Sequence, residues 1–526
     1  METKSIVYRS MFPLWFLCFI IITLFSPSSS TRYDDHISLG EINEEENFHF
    51  PKDFLFGTVT SAYQHEGAYL TDGKSLSNWD VYTEIPGNID DGSNGKIAAD
   101  HYHRYPEDLD LMKDLGVNSY RFSLSWARIL PKGRFGDVNM NGIDHYNRMI
   151  NATLERGMEP FVTLAHFDIP QELEVRYGSW LNPQFRKDFV HYAEICFRYF
   201  GNRVKLWTTF NEPYIQVIYG YRTGTSPPSR CSKPFGNCTR GDSNIEPFVA
   251  AHNLIRSHLA AVKLYRMKYQ EEQRGKIGIV MSANWFEPVS NSSADRLAAE
   301  RAQAFYMTWF LDPIVFGRYP KEMQDIIGED LPKFTKDDLK ISKNGLDFIG
   351  LNQYSSKYAK DCLHSECEPG EGGSRTEGFV NSDALKDGLG LGEPTSICWL
   401  NVYPQGMEKV VMYVTERYKN IPLYVAENGY GENSTGASLN DQDHRRIKFM
   451  SSYLDSLKRA MRKGADVRGY FIWSLLDSFE WVYGYTSKFG LYHVDFDTLE
   501  RTPRLSASWY KNFIFKNKAQ SKDADA

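Results

Sequence analysis

The chain of 526 residues has no excess of positive charge: 60 Lys and Arg face 67 Asp and Glu, a formal net charge of −7. Without a basic footprint, a nucleic-acid partner is not expected. Long apolar runs are equally scarce. One extends from Met11 to Phe25, and no later run could span a bilayer, so no membrane partner is expected. Cysteine is sparse too, at seven residues, and no pair has companions at zinc-ligand spacing. No metal or cofactor is therefore expected.

The apolar run that is present reads as a cleaved secretory signal over residues 1–30. Lys4 and Arg9 precede it and small residues, Ser28 to Ser30, follow it. A stop-transfer helix is the competing reading. The run is short for one and is broken by Pro13. Residues 31–47 are acidic and polar and read as a flexible arm. Residues 48–516 read as one domain, and 517–526 as a flexible tail. Export agrees with the remaining cysteines. Cys231 with Cys238, and Cys362 with Cys367, each flank a short loop, which predicts two disulfides. Cys196 lies in an amphipathic stretch and is expected to be a buried thiol. Asn151, Asn237, Asn291 and Asn433 each open a glycosylation sequon.

Strand-like runs alternate with helical ones. The strands read as Phe54 to Ala62, Ser119 to Trp126, Pro160 to His166, a fourth ending at Glu212, Lys276 to Asn284, Asp347 to Tyr354, a seventh ending at Glu427, and Val467 to Leu476. Their near-continuous apolar character is that of strands buried on both faces. Between them lie amphipathic patterns such as Tyr105 to Leu115, Gly142 to Arg156, Asn182 to Gly201 and Gln442 to Lys463. Eight such strand–helix units predict the α/β class: a single (β/α)8 barrel with long βα loops. The polar, Gly-rich segment Asp361 to Asp387 reads as a long surface loop or lid.

Two Glu residues stand at strand ends, each beside an Asn: Phe210-Asn-Glu212-Pro and Ala426-Glu427-Asn-Gly. Either alone could be an ordinary surface ion pair. At the C-terminal ends of strands four and seven they would face each other across the barrel mouth, where such barrels do their chemistry. Two carboxyls about 5 Å apart suit glycosidic cleavage with retention, one as proton donor and the other as nucleophile. Such neighbours cannot both ionise freely, so one keeps a proton. Arg121, on strand two, is the candidate cation that would hold the other as an anion. The 32 Tyr and 11 Trp offer flat faces for stacking on sugars or phenyl rings.

Across residues Phe50 to Phe515 the chain resembles glycoside hydrolase family 1, the retaining β-glucosidases, especially those of plants. Thr-Phe-Asn-Glu-Pro at 209–213 resembles the family's acid/base motif. Ala-Glu-Asn-Gly at 426–429 resembles its nucleophile motif, with Ala426 where Thr is usual. The resemblance implies that Glu212 is the acid/base and Glu427 the nucleophile. It implies sugar binding by Gln64, His166, Asn211, Tyr354, Trp473, Glu480, Trp481 and Phe489. Phe167 replaces a commoner Trp or Tyr, and Gln353 a usual Tyr. Segments such as Phe167-Asp-Ile-Pro-Gln and Cys367-Glu-Pro-Gly resemble the coniferin, or monolignol, β-glucosidase subgroup. That implies phenylpropanoid glucosides, including coniferin and syringin, as substrates and the cell wall as the site of action, with the vacuole as alternative. Tyr214, Gln216, Trp285, Phe286 and Trp399 are the candidate aglycone lining. A transglucosidase, or a β-glucosidase for cello-oligosaccharides or other plant glucosides, would use the same residues. A thioglucosidase is disfavoured because Glu212 stands where that branch has Gln. A phosphoglycosidase is disfavoured because Glu480 would repel a phosphate. A catalytically silent sugar-binding module would typically have lost one Glu. The oligomeric state is not legible.

Overall fold

The apolar runs pair into a closed ring. In the computed structural model, eight parallel strands each hydrogen-bond the next: β1 (Leu55–Val59), β2 (Ser119–Ser123), β3 (Glu159–Ala165), β4 (Leu206–Asn211), β5 (Lys276–Ser282), β6 (Phe348–Asn352), β7 (Leu423–Asn428) and β8 (Val467–Ile472), with β8 closing onto β1. The structure describes residues 48–342, 345–433 and 443–523. The expected signal and arm lie outside them. Residues His49–Ala526 form one unit, and the barrel is its centre.

The strands read as apolar because the ring has no solvent face. Inside, side chains fill the bore, and outside, helices cover it. Phe161 sits at the hub of the floor. Its ring lies 5.5 Å from Phe348, 5.5 Å from Tyr424 and 5.3 Å from Phe471, all edge-on. Edge-to-face packing fills a round cross-section that stacked rings could not. Helices His101–Leu115, Met140–Glu155, Phe185–Phe200, Glu246–Lys268, Gln405–Arg417, His444–Arg462 and Leu505–Asp523 lie between or after the strands.

The sequence overruns several strand ends. β2 stops at Ser123 rather than Trp126, because Trp126 opens the short helix Trp126–Ile129. β4 stops at Asn211, and Glu212 leaves the strand. One expectation is corrected. Residues 361–387 are not a free loop: Ser356–Asp361 pairs with Trp285–Pro288 and Val380–Ala384 in a three-stranded sheet. Arg301, on helix Ser293–Ala304, holds that sheet through Asp361 Oδ1 at 2.5 Å. Of the expected tail, residues 517–523 continue helix Leu505–Asp523, and 524–526 lie outside the described residues. Lys518 Nζ donates to the Gly116 carbonyl at 2.8 Å, which ties this helix to the barrel base.

Both expected disulfides are present, Cys231–Cys238 and Cys362–Cys367, with Cα atoms 5.1 and 5.6 Å apart. Gly224 at φ 71° lets the chain pass the first bridge, since a Cβ there would meet Cys238 Sγ at 2.1 Å. Cys196 is a buried free thiol and Cys398 an exposed one. Asn151, Asn237, Asn291 and Asn433 are exposed; residues 434 and 435 of the last sequon lie outside the described residues.

Candidate active site

Strand geometry aims the two Glu residues. The pairing of β4 with β5 slips between Thr208 and Asn211, and that of β6 with β7 slips between Val425 and Glu427. Such slips re-aim a side chain at a strand end. Glu212 then takes a left-handed backbone, φ 42° and ψ 60°, immediately before Pro213 starts helix Pro213–Tyr221. A non-glycine residue held there costs about 1–3 kcal/mol, and such strain clusters at functional sites. Past Glu427, Gly429 lets β7 approach β8, since a Cβ there would meet the Trp473 carbonyl oxygen at 2.0 Å.

The two carboxyls have unequal surroundings. Arg121, fully buried on β2, donates from Nη1 to Glu427 Oε1 at 2.6 Å and to the Ala426 carbonyl at 2.9 Å. Its Nη2 donates to Asn211 Oδ1 at 2.6 Å. Tyr354 donates its hydroxyl to Glu427 Oε2 at 2.7 Å. Glu212 is half-buried and makes no ion pair among the described residues. It accepts from Asn352 Nδ2 at 3.1 Å and also from the Ser282 hydroxyl. Burial, and secondly the Glu427 charge, push its carboxyl up to about 8. Burial also raises Glu427, but Arg121 and Tyr354 pull it back. Of this coupled pair, Glu212 keeps the proton and Glu427 is the anion.

A ring of polar groups continues from the pair. Asn211 Nδ2 lies 3.1 Å from His166 Nε2. Burial, then Arg121, hold His166 well below the usual imidazole range, so it is neutral. Its ring stacks within 6.0 Å of both Trp473 and Trp481. Glu480 accepts from Gln64 Nε2 at 3.2 Å, Trp473 Nε1 at 3.3 Å and the Ser478 hydroxyl at 2.9 Å. Burial pushes its carboxyl up to about 8. On the far side of Glu427, Trp399 meets Tyr354 edge-on at 5.8 Å and stacks on Phe489 at 6.2 Å.

The structure thus brings Gln64, Arg121, His166, Asn211, Glu212, Tyr354, Glu427, Trp473, Glu480, Trp481, Phe489 and Trp399 together. It does not do so for all the aglycone candidates. Phe286 is buried, edge-on to Tyr306 at 5.5 Å. Trp285 faces Tyr413 on helix Gln405–Arg417 at 6.1 Å. Tyr214 packs on Tyr306 at 4.2 Å. Gln216 is half-buried on helix Pro213–Tyr221. Local strand pattern could not tell which face of the accessory strand Trp285–Pro288 turns inward. Sequence reasoning missed Asn352, which also donates to Asn211 at 3.0 Å, and Ser282. Each ends an apolar strand with a polar residue, and that was the available signal.

The profile of glycosyl hydrolase family 1 matches residues 46–519. The chain belongs to this family. Membership brings the family's chemistry, retaining hydrolysis of β-glucosides. Family relatives include beta-glucosidase 47 of Arabidopsis thaliana, 75% identical over 99% of this chain and 96% of that one. Another is the coniferin beta-glucosidase of Pinus contorta, 48% identical over 88% and 92%. A third, from Oryza sativa subsp. japonica, is 52% identical over 91% and 93% and is named probable inactive beta-glucosidase 14. Activity in this family member therefore rests on its own residues, and both Glu are present. A rice family member, solved as a mutant in a covalent complex with glucose from GA4GE, superposes at a TM-score of 0.84. It is 44% identical over 88% of this chain and 98% of that one.

Proposed function

We propose that this β-glucosidase acts on phenylpropanoid glucosides such as coniferin and syringin, after export to the cell wall, with Glu427 as nucleophile and Glu212 as acid/base. The observation that carries the catalytic assignment is the unequal pair: an anion held by Arg121 and Tyr354 beside a carboxyl that keeps its proton. Glu427 attacks the anomeric carbon, and Glu212 protonates the departing oxygen. The glucosyl-enzyme then meets water, from which Glu212, now ionised, takes the proton, so glucose leaves with its β configuration. Gln64, His166, Asn211, Glu480, Trp473 and Trp481 surround the glucose, and unpaired buried polar groups would cost about 1–3 kcal/mol each with the wrong sugar. Asn237 and Asn291, both in loops, offer the most open glycosylation sequons. Asn151 lies within a helix with its side chain held by Arg203.

This assignment sets a pH dependence. Glu212 must be protonated and Glu427 ionised, so kcat/KM falls about tenfold per unit as pH rises through about 8, the level to which burial lifts Glu212. In Glu212→Gln, tested with an aryl glucoside whose leaving group needs no proton, that alkaline limb disappears. A limb that persists at the same pH would assign it to another group.

Support for the aglycone is the likeness to the pine coniferin enzyme together with the Trp399–Phe489 stack beside Tyr354. An aromatic slot selects by shape, modestly per group. A panel of coniferin, syringin, flavonoid glucosides and cello-oligosaccharides should rank the first two well above cellobiose in kcat/KM. Trp399→Ala should cost coniferin about tenfold and a methyl glucoside much less, because a lost ring stack is worth ~1 kcal/mol or more. Equal losses, or better turnover of cello-oligosaccharides, would remove the monolignol reading and leave the β-glucosidase intact.

A further inference from the structure

Between the segments that carry Gln64 and His166 lies a cavity of about 10 Å³. Ala62, Tyr63 and Glu66 line it from the first segment and Asp168 from the second, with Lys74, Asp80 and Ser125 completing the wall. Three oxygens in this wall have no hydrogen-bond partner: Asp80 Oδ1, Ser125 Oγ and Asp168 Oδ1. Their residues are 2%, 1% and 2% exposed. A volume near 10–15 Å³ with two to four polar partners is what one buried water requires.

The backbone fixes Asp168 toward this cavity. Asn78 donates from Nδ2 to the Phe167 carbonyl at 3.0 Å and accepts from the Ile169 N–H at 2.9 Å, so the chain is clamped on both sides. Phe167, at φ 71°, turns the chain between His166 and Asp168. The neighbouring charges are already matched. Glu66 pairs with Arg128 at 3.1 Å, and Asp80 with Lys74 at 2.8 Å. Asp168 makes no ion pair among the described residues, and burial, then the Glu66 charge, push its carboxyl up to about 7.

We propose that Asp168 is a positioning residue of the glucose site: with Asp80 and Ser125 it holds one buried water against the Ala62–Gly67 stretch that carries Gln64, so that this stretch and the His166 segment pack on the same water. The inference rests on the reading of Gln64 and His166 as glucose-binding residues. The neutral carboxyl is the form that fits. The titratable groups facing it are Glu66, Lys74, Asp80, Tyr63 and Tyr69, with Arg128 behind Glu66. His65 and His166 nearby are kept neutral by burial. Ionised Asp168 would add an uncompensated carboxylate beside Asp80 and Glu66, and repulsion would part the two segments.

The full-length enzyme tests this with Asp168→Asn, which keeps the shape and cannot ionise. Inhibition by free glucose is measured for both proteins at about pH 6 and about pH 8, where the wild-type group changes charge. The ratio of inhibition constants, wild type over variant, should rise by roughly threefold or more, as expected for one ionisation coupled to binding. Other titrating groups, Glu212 and Glu480 among them, act in both proteins and leave the ratio flat. A flat ratio overturns the proposal. A crystal structure of the same protein supplies the second reading: one water within hydrogen-bond distance of the three oxygens is expected. A metal ion there, or the oxygens bonded to one another, overturns it. Failure on either count with turnover intact leaves the catalytic assignment standing.

Discussion

Glu427→Gln abolishes turnover of every β-glucoside, to below about a hundredth of the wild-type kcat, while the barrel stays folded. A nucleophile removed from a coupled site typically costs several orders of magnitude. The amide cannot attack carbon, and among the described residues Arg121 pairs with no other carboxylate; its Nη1 lies 2.6 Å from Glu427 Oε1. Stability moves the other way. Removing one partner of a buried ion pair usually costs about 3–5 kcal/mol. Here the Glu427 carboxyl stays raised despite Arg121, so burial penalises the anion more than its partners reward it. Thermal unfolding of the variant should therefore occur at or above the wild-type temperature. A variant that keeps more than a few per cent of kcat would remove Glu427 from the mechanism.

Glu212→Gln divides substrates by leaving group. A phenol of low pKa leaves without a proton, whereas an alcohol needs one. General acid assistance is worth about 100- to 10,000-fold, so the loss should run from slight for activated aryl glucosides to near the top of that range for alkyl ones. The second step also suffers, because water no longer has a base. Azide, already an anion, should restore turnover of activated substrates and yield β-glucosyl azide. Uniform losses without azide rescue would mean that Glu212 is not the acid/base.

Much of this site was legible because a closed parallel barrel makes strand ends and function coincide. Period and apolarity placed Glu212 and Glu427 at two strand ends, and the ring order placed those strands across the mouth. The boundaries were less legible. Glu212 sits outside β4 in a left-handed turn that no propensity encodes, and Trp126 belongs to a helix. Residues 517–523 continue the helix Leu505–Asp523, and Lys518 there reaches the Gly116 carbonyl, a contact far away in sequence. Side-chain direction was the weakest inference. Trp285 and Phe286 adjoin each other on a strand, yet one faces Tyr413 and the other Tyr306, and neither stands beside Tyr354 as Trp399 does. Asn352 and Ser282 were overlooked because small polar residues at strand ends look like ordinary terminators. Only the folded site shows that they bond Glu212.

The central claim is that Glu427 becomes covalently glucosylated. A glucosyl fluoride carrying fluorine in place of the 2-hydroxyl slows both steps by destabilising positive charge at carbon one, but its good leaving group lets the first step proceed. The intermediate then accumulates. Intact mass and peptide mapping of the treated enzyme should show one fluoroglucosyl group per chain, on the peptide containing Glu427, and lost when an acceptor sugar restores activity. A label on any other residue, or inactivation without a covalent adduct, would contradict the account.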